Sequence, residues 1–315
     1  MDHDQHLDAL VAPLRADVVS GASAIGRMAA EVLRRAAIRL QAGSLEEYRW
    51  AMGEVSAKVL DAQPAMAPLV ALVRDVLAAV EASPDLEQGR YAAARTSEAF
   101  RSGLALREEA VAARAAALLP AGGTVLTISS SSTVQATLTH EGARDIGRVI
   151  CLESRPKREG EMLARELADA GVSVTFAVDA AACALMGGCE TVLLGADSIG
   201  DLGFVNKIGS AGLVAAAARN SVPVVVVSDE TKILPNGFPQ HLADDRPSDE
   251  VWGAPAGVQV WNRYFEAVEL ELVTAVVTES AALTPPEVEE LRASIVLPDA
   301  LRALAESRLR RSGNE

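Results

Sequence analysis

"PAGGTVLTISSSSTVQATL", Pro120–Leu138, separates two kinds of hydrophobic pattern in this 315-residue chain. Upstream, "SAIGRMAAEVLRRAAIRL", "SLEEYRWAMGEVSAKVLDA", "MAPLVALVRDVLAAVEA" and "EQGRYAAARTSEAFRSGLALREEAVAARAAALL" place apolar residues three and four apart, the period of a helix with one buried face. Breaks at Gly43-Ser44, Pro64 and Ser83-Pro84 divide them into four or five helices. Downstream, the β-branched runs "TVLTI", "RVICL", "VTFAV", "TVLLG" and "VPVVVV" alternate with helical windows. That alternation is the pattern of repeated βαβ units. The fold class expected is α/β: an all-helical N-terminal domain over 1–120, then a Rossmann-like parallel-sheet domain over 121–315 carrying most of the ligand site. "LVTAVVT", 272–278, reads as a further strand, and "TPPEVEELRASI" as a terminal helix with proline in its first turn.

In an open parallel sheet, ligands bind beyond the carboxyl ends of the strands. The residues there are Ser129–Ser132, Glu153 and Arg155, Asp179, Asp197, and Asp229 to Lys232. Asp179, ahead of "AAACALM", reads first as a helix N-cap. Asp197 does not, because Gly200 and Gly203 follow and no regular helix begins before about Ile208. Lys207 reads as a cation at the start of a helix, opposed by the macrodipole unless an anion such as phosphate sits there; the alternative is a solvated lysine. The serine run either offers hydroxyls and N–H groups to an anion or simply caps a helix. Between the last strands, the long connection 234–257, which opens with "LPNGFPQHLADDRPSDEVWGAP", reads as an interface or surface loop, with an active-site lid as the alternative.

The formal charge of −14, from 29 Lys+Arg against 43 Asp+Glu, argues against nucleic acid or an anionic membrane as partner. Half the residues are hydrophobic, enough for a sizeable core, although aromatics are 3%. Cys151, Cys183 and Cys189 are odd in number and lack C-x-x-C spacing, which fits a reducing cytoplasm better than a disulfide framework or structural zinc. "MDHDQHLDAL" is acidic with no apolar h-region after it, and no window has the apolar length of a membrane span. No cofactor and no metal are expected. The turn after the first strand has no glycine for a dinucleotide, and His140 near the serines lacks a nucleophile elbow. Carboxylates at the strand ends leave Mg²⁺ as a minor alternative.

"SGASAIGRMAAEVL", "QPAMAPLVALV", "VLTISSSSTV", "LESRPKREGEMLARELADAGVSVTFAVDAAA", "LLGADSIGDLGFVNKIGS" and "FEAVELELVTAVVTE" span nearly the whole chain. On them it resembles the family that unites the alpha, beta and delta subunits of translation initiation factor 2B with methylthioribose-1-phosphate isomerase and ribose-1,5-bisphosphate isomerase. The resemblance implies the two-part fold and a homodimer through the C-terminal domain. It also implies aldose 1-phosphate to ketose 1-phosphate chemistry, with a cysteine and an aspartate handling the proton and an Asn-Lys pair and a later lysine binding the sugar phosphate. Transferred by position, these are Asp197, Asn206, Lys207 and Lys232, with Ser129 where the family has its cysteine. Gly21 and Ala22, Ser130 and Ser131, and Arg155 belong to matching segments. Ser20 and Gln63 stand where the family has arginines, and Glu159 where it has glutamine.

A thiol titrates near 8.5 and exchanges a proton near neutrality; a serine hydroxyl needs a base beside it. Losing two arginines removes two bidentate phosphate grips, and Glu159 adds negative charge. Three functions follow as expectations: a sugar-phosphate-binding protein diverged from the isomerases, an active isomerase using Asp197, or a subunit acting on a translation GTPase.

Overall fold

A computed structural model describes residues 3–17, 21–242 and 245–312. Ser20, and Ala243 and Asp244 of the long connection, lie outside the described residues. The chain forms two compact units: one of residues up to Leu106 with Thr231–His241 and from Arg292 onward, the other of Arg107–Glu230 and Leu242–Leu291.

The first unit is helical. Its elements are α1 (His3–Ala16), α2 (Ala22–Arg39), α3 (Leu45–Ala62), α4 (Ala67–Glu81) and most of α5 (Leu86–Ala116). In α2 the buried face is Ile25, Ala29, Leu33 and Ala36, the spacing of one helical stripe. Ser44 starts α3: its hydroxyl accepts from Glu47 N at 3.1 Å while the Glu47 carboxylate accepts from Gly43 N at 2.7 Å. Helix α4 has Pro68 in its first turn and is buried on nearly every side, as its run of Leu and Val requires. Leu234, Phe238, Leu301 and Ala305 join this core from the later segments.

The second unit holds a seven-stranded sheet. In chain order its elements are β1 (Thr124–Thr127), α6 (Ser132–Thr139), β2 (Arg148–Leu152), α7 (Gly160–Asp169), β3 (Val174–Ala177), α8 (Ala182–Leu185), β4 (Thr191–Gly195), β5 (Ser198–Gly200), β6 (Gly203–Lys207), α9 (Ser210–Arg219), β7 (Val224–Val227), β8 (Phe265–Val268), β9 (Ala275–Val277) and β10 (Ala282–Leu283). The spatial order is β10-β9-β7-β4-β1-β2-β3. The six strands other than β10 are parallel, and β10 runs antiparallel at one edge. Read along the chain, those six follow the doubly wound order 3-2-1-4-5-6, so the topology reverses between β1 and β4. The β-branched runs of the central strands β4 and β7 are buried on both faces, as central parallel strands are, while the edge strand β3 is partly exposed.

Three elements differ from the sequence expectation. Residues 198–207 are a hairpin that pairs with β8 in a separate antiparallel sheet, order β5-β6-β8. The strand expected over 272–278 is shorter, with a 3-10 turn at Leu270–Leu272 before β9. The helix α10 (Pro285–Ser294) is not terminal: α11 (Asp299–Ser312) follows, after Pro298, and its Leu301 is fully buried.

Candidate functional site

Ser129 follows β1 and Asp197 follows β4, the two strands that flank the reversal of strand order. Two non-glycine residues near it hold left-handed backbone, Ser129 at φ 74° and Ser154 at φ 67°. Each such residue costs on the order of 1–2 kcal/mol, strain that persists where surrounding structure enforces it. The enforcement is visible: Ser129 N donates to Ser154 Oγ at 2.6 Å, and Ser154 Oγ donates to Leu152 O at 3.1 Å. Ser154 N and Arg155 N both donate to the Asp179 carboxylate, each at 2.7 Å. Asp179 therefore does not cap the helix after it, as its position led one to expect; it fixes the loop beyond β2, reaching back 25 residues to Ser154.

The serine run enters α6 with Ser131 as N-cap, its Oγ accepting from Val134 N at 3.4 Å. Ser130 lies between the strained Ser129 and this cap. Gly195 admits the run, since a Cβ there would stand 2.8 Å from Ser131 Oγ. Asp197 N donates to Val205 O at 2.8 Å, and β5 begins at the next residue, so no helix starts at Asp197.

Lys207 corrects the sequence reading. It ends β6 instead of starting a helix, because Gly209, left-handed at φ 102°, separates strand from α9. Its side chain is 1% exposed, and Nζ donates to Glu159 Oε1 at 2.9 Å. Gly160 places Glu159 there: a Cβ at 160 would lie 1.8 Å from Leu152 O, so only glycine lets α7 begin against the end of β2. The other oxygen, Glu159 Oε2, is buried without a hydrogen-bond partner among the described residues. The start of α9 is likewise occupied from within, as Gly209 N and Ala211 N both donate to Glu266 Oε1 at 2.8 Å. Asn206 Nδ2 donates to Ser210 Oγ at 2.9 Å.

The later part of the long connection and the residues between it and β8 return to this region. The Tyr264 ring lies 5.1 Å from Lys207 Nζ and 5.0 Å from the Arg246 guanidinium carbon, a ring between two cations. Glu250 accepts from Tyr264 Oη, from Asn262 Nδ2 at 3.1 Å and from Lys157 Nζ at 2.6 Å. The Lys157 ammonium holds the Glu250 carboxyl below the usual range, while burial and then Glu250 push the Tyr264 hydroxyl up. The Arg155 guanidinium donates to Val251 O at 3.1 Å.

The helical unit carries the other candidates. Gly21 is the N-cap of α2 and Ala22 its first residue. Gln63 Nε2 donates to Leu14 O at 2.8 Å and Asp17 O at 2.6 Å, so its amide N–H groups tie down the end of α1. Lys232 is buried and ends the 3-10 turn Glu230–Lys232 after β7. Among the described residues no cluster of three or more His, Cys, Asp or Glu is arranged to hold a metal, and no helix is long and apolar enough to cross a membrane.

Residues 18–285 match the initiation factor 2 subunit family. The chain belongs to that family. It is 30% identical over 284 residues to the ribose 1,5-bisphosphate isomerase of Thermococcus kodakarensis, covering 85% of this chain and 87% of that one. It is 30% identical over 298 residues to the methylthioribose-1-phosphate isomerase of Gemmatimonas aurantiaca, covering 89% and 86%. Its fold is similar to the translation initiation factor eIF-2B of Pyrococcus horikoshii, with a TM-score of 0.74, 24% identity, and 90% and 98% of the two chains covered. Sugar-phosphate isomerases and initiation-factor subunits thus share this architecture.

Sequence reasoning missed Ser154, Lys157, Glu250, Tyr264 and Glu266. Ser154 and Lys157 lie in the "ESRPK" segment already singled out. Glu266, a charge between the apolar neighbours Phe265 and Ala267, was the one local sign that this run faces a polar partner.

Proposed function

We propose that the chain recognises a sugar phosphate of the aldose 1-phosphate type in the crevice between the ends of β1 and β4, and that it has diverged from isomerisation. The observation that carries this reading is Ser129: a residue on a strained, braced backbone stands after β1 at the switch point, and Asp197 stands after the neighbouring strand β4. The start of α6, with Ser130 and Ser131, supplies N–H groups and hydroxyls suited to an anion. Asp197 supplies an acceptor for a sugar hydroxyl. Isomerisation needs two groups that pass a proton between adjacent carbons, and Ser129 lacks a thiol's acidity. Neither described neighbour replaces it: Cys151 packs in the core with its thiol pushed up to about 12 by burial, and Cys183 is exposed in α8, the short helix that follows β3.

Arg155 completes the ligand-contacting set of the second unit in this reading, with 1–120 and 121–315 as the domains. The protein acts in the cytoplasm, where its free cysteines stay reduced. It works as a homodimer, supported by the exposed Trp252 on the long connection and Val258 and Trp261 just after it. Thermal shift and a ketose-forming assay with ribose 1,5-bisphosphate and methylthioribose 1-phosphate test the function. Stabilisation without turnover is expected. Absence of any shift removes the binding claim, and turnover that is lost in Asp197→Asn establishes the active-isomerase reading instead.

A further inference from the structure

We propose that Glu159 and Lys207 form a hydroxyl-recognising subsite, so that the ligand is a sugar monophosphate rather than a bisphosphate. This rests on the sugar-phosphate reading above and specifies what one wall of that crevice accepts.

Two features near the end of β6 attract anions in principle, the Lys207 ammonium and the exposed N–H groups at the start of α9. Each is already neutralised by a carboxylate of the chain, Glu159 at 2.9 Å and Glu266 at 2.8 Å. A phosphate arriving here meets Glu159 before it gains Lys207, and like charges in a desolvated site repel strongly. The wall is nevertheless not satisfied. An ammonium carries three donors and a carboxylate about four acceptor sites. Among the described residues Lys207 Nζ makes one hydrogen bond, to Glu159 Oε1, and Glu159 Oε2 is buried without a partner.

A hydroxyl group answers both deficits together. Its O–H donates to Glu159 Oε2 while its oxygen accepts from a remaining Lys207 N–H, and neither charge is disturbed. A buried acceptor left unmade is costly, so a ligand that donates to it binds better than one that cannot. The Tyr264 ring over Lys207 blocks a second face of the ammonium and favours a small neutral group beside it. The Ser154–Glu159 loop links this wall to the serine end, because Ser129 N donates to Ser154 Oγ. Phosphate at Ser129–Ser131 and a distal hydroxyl at Glu159 is therefore the arrangement the charges allow.

Isothermal titration calorimetry of the purified full chain with ribose 1-phosphate and ribose 1,5-bisphosphate tests this, since the two differ only by hydroxyl against phosphate at one end. The wild type is expected to bind the monophosphate at least tenfold more tightly, and Glu159→Gln to narrow that ratio by strengthening bisphosphate binding. Equal or tighter binding of the bisphosphate by the wild type overturns the subsite while leaving sugar-phosphate recognition intact. Failure of both ligands to bind overturns the underlying reading and the subsite with it. The wild-type ratio decides the matter even if Glu159→Gln does not fold.

Discussion

The Glu159–Lys207 pair makes a quantitative prediction about stability. Lys207 is 1% exposed and Glu159 30% exposed, with 2.9 Å between Nζ and Oε1. Removing one partner of a fully buried pair costs about 3–5 kcal/mol, because the remaining charge is stranded. In Glu159→Gln the ammonium stays buried against a weaker acceptor, and the partial exposure of the site brings the expected loss to about 2 kcal/mol. In Lys207→Met the surviving carboxylate rehydrates, and the loss is about 1 kcal/mol. The double variant strands no charge and loses about 1 kcal/mol, against an additive value of about 3, a coupling of about 2 kcal/mol. Urea unfolding followed by fluorescence reports the unit concerned, since two of the three tryptophans, Trp252 and Trp261, belong to it. Raising the salt concentration changes the coupling little, because a desolvated pair is weakly screened. A coupling near zero, or a Glu159→Gln variant as stable as wild type, refutes the claim that Glu159 is the counter-ion of the buried Lys207.

Two further outcomes follow from the same geometry. Gly160→Ala puts a Cβ 1.8 Å from Leu152 O, so the backbone at the start of α7 must move; the variant loses more than about 3 kcal/mol in thermal unfolding, or fails to accumulate folded. Of the three cysteines, Cys183 alone alkylates rapidly in the native protein at pH 8, because it is exposed while burial pushes the thiols of Cys151, to about 12, and Cys189 upward; peptide mapping after iodoacetamide treatment shows one labelled site, and Cys151 labels only on unfolding.

The doubly wound sheet was legible because its strands are local. Each β-branched run from "TVLTI" to "VPVVVV" contains a single strand, buried in all but the edge strand β3, and its composition needs no knowledge of partners. The small sheet was not legible, because it depends on a distant partner: β6 pairs Phe204 with Val268 and Lys207 with Phe265. Its hairpin hides behind glycines that read as loop, although Gly203, at φ 91° and where any Cβ would stand only 2.1 Å from Val268 O, is what lets the two strands meet. The same non-locality misplaced Lys207 and Asp179. Lys207 stands two residues before a left-handed glycine instead of inside a helix, and Asp179 spends its carboxylate on backbone N–H groups of another loop. Helix α11 was a local omission: Pro298-Asp299 followed by apolar residues at 301, 304 and 305 is a helix start in the sequence itself. The strand-end rule selected Ser129–Ser131 and Asp197, and the reversal of strand order between β1 and β4 is where those residues stand. The carboxylates that neutralise the β6–α9 wall were invisible to that rule, since Glu159 and Glu266 reach it from 48 and 57 residues away.

The central claim is that the crevice between β1 and β4 binds a sugar phosphate. Amide hydrogen exchange read by mass spectrometry, with and without saturating ribose 1-phosphate, tests it most directly. Slowed exchange in peptides covering 128–134 and 195–199 is the result the account predicts. Unchanged exchange in both, with the ligand demonstrably bound, contradicts it.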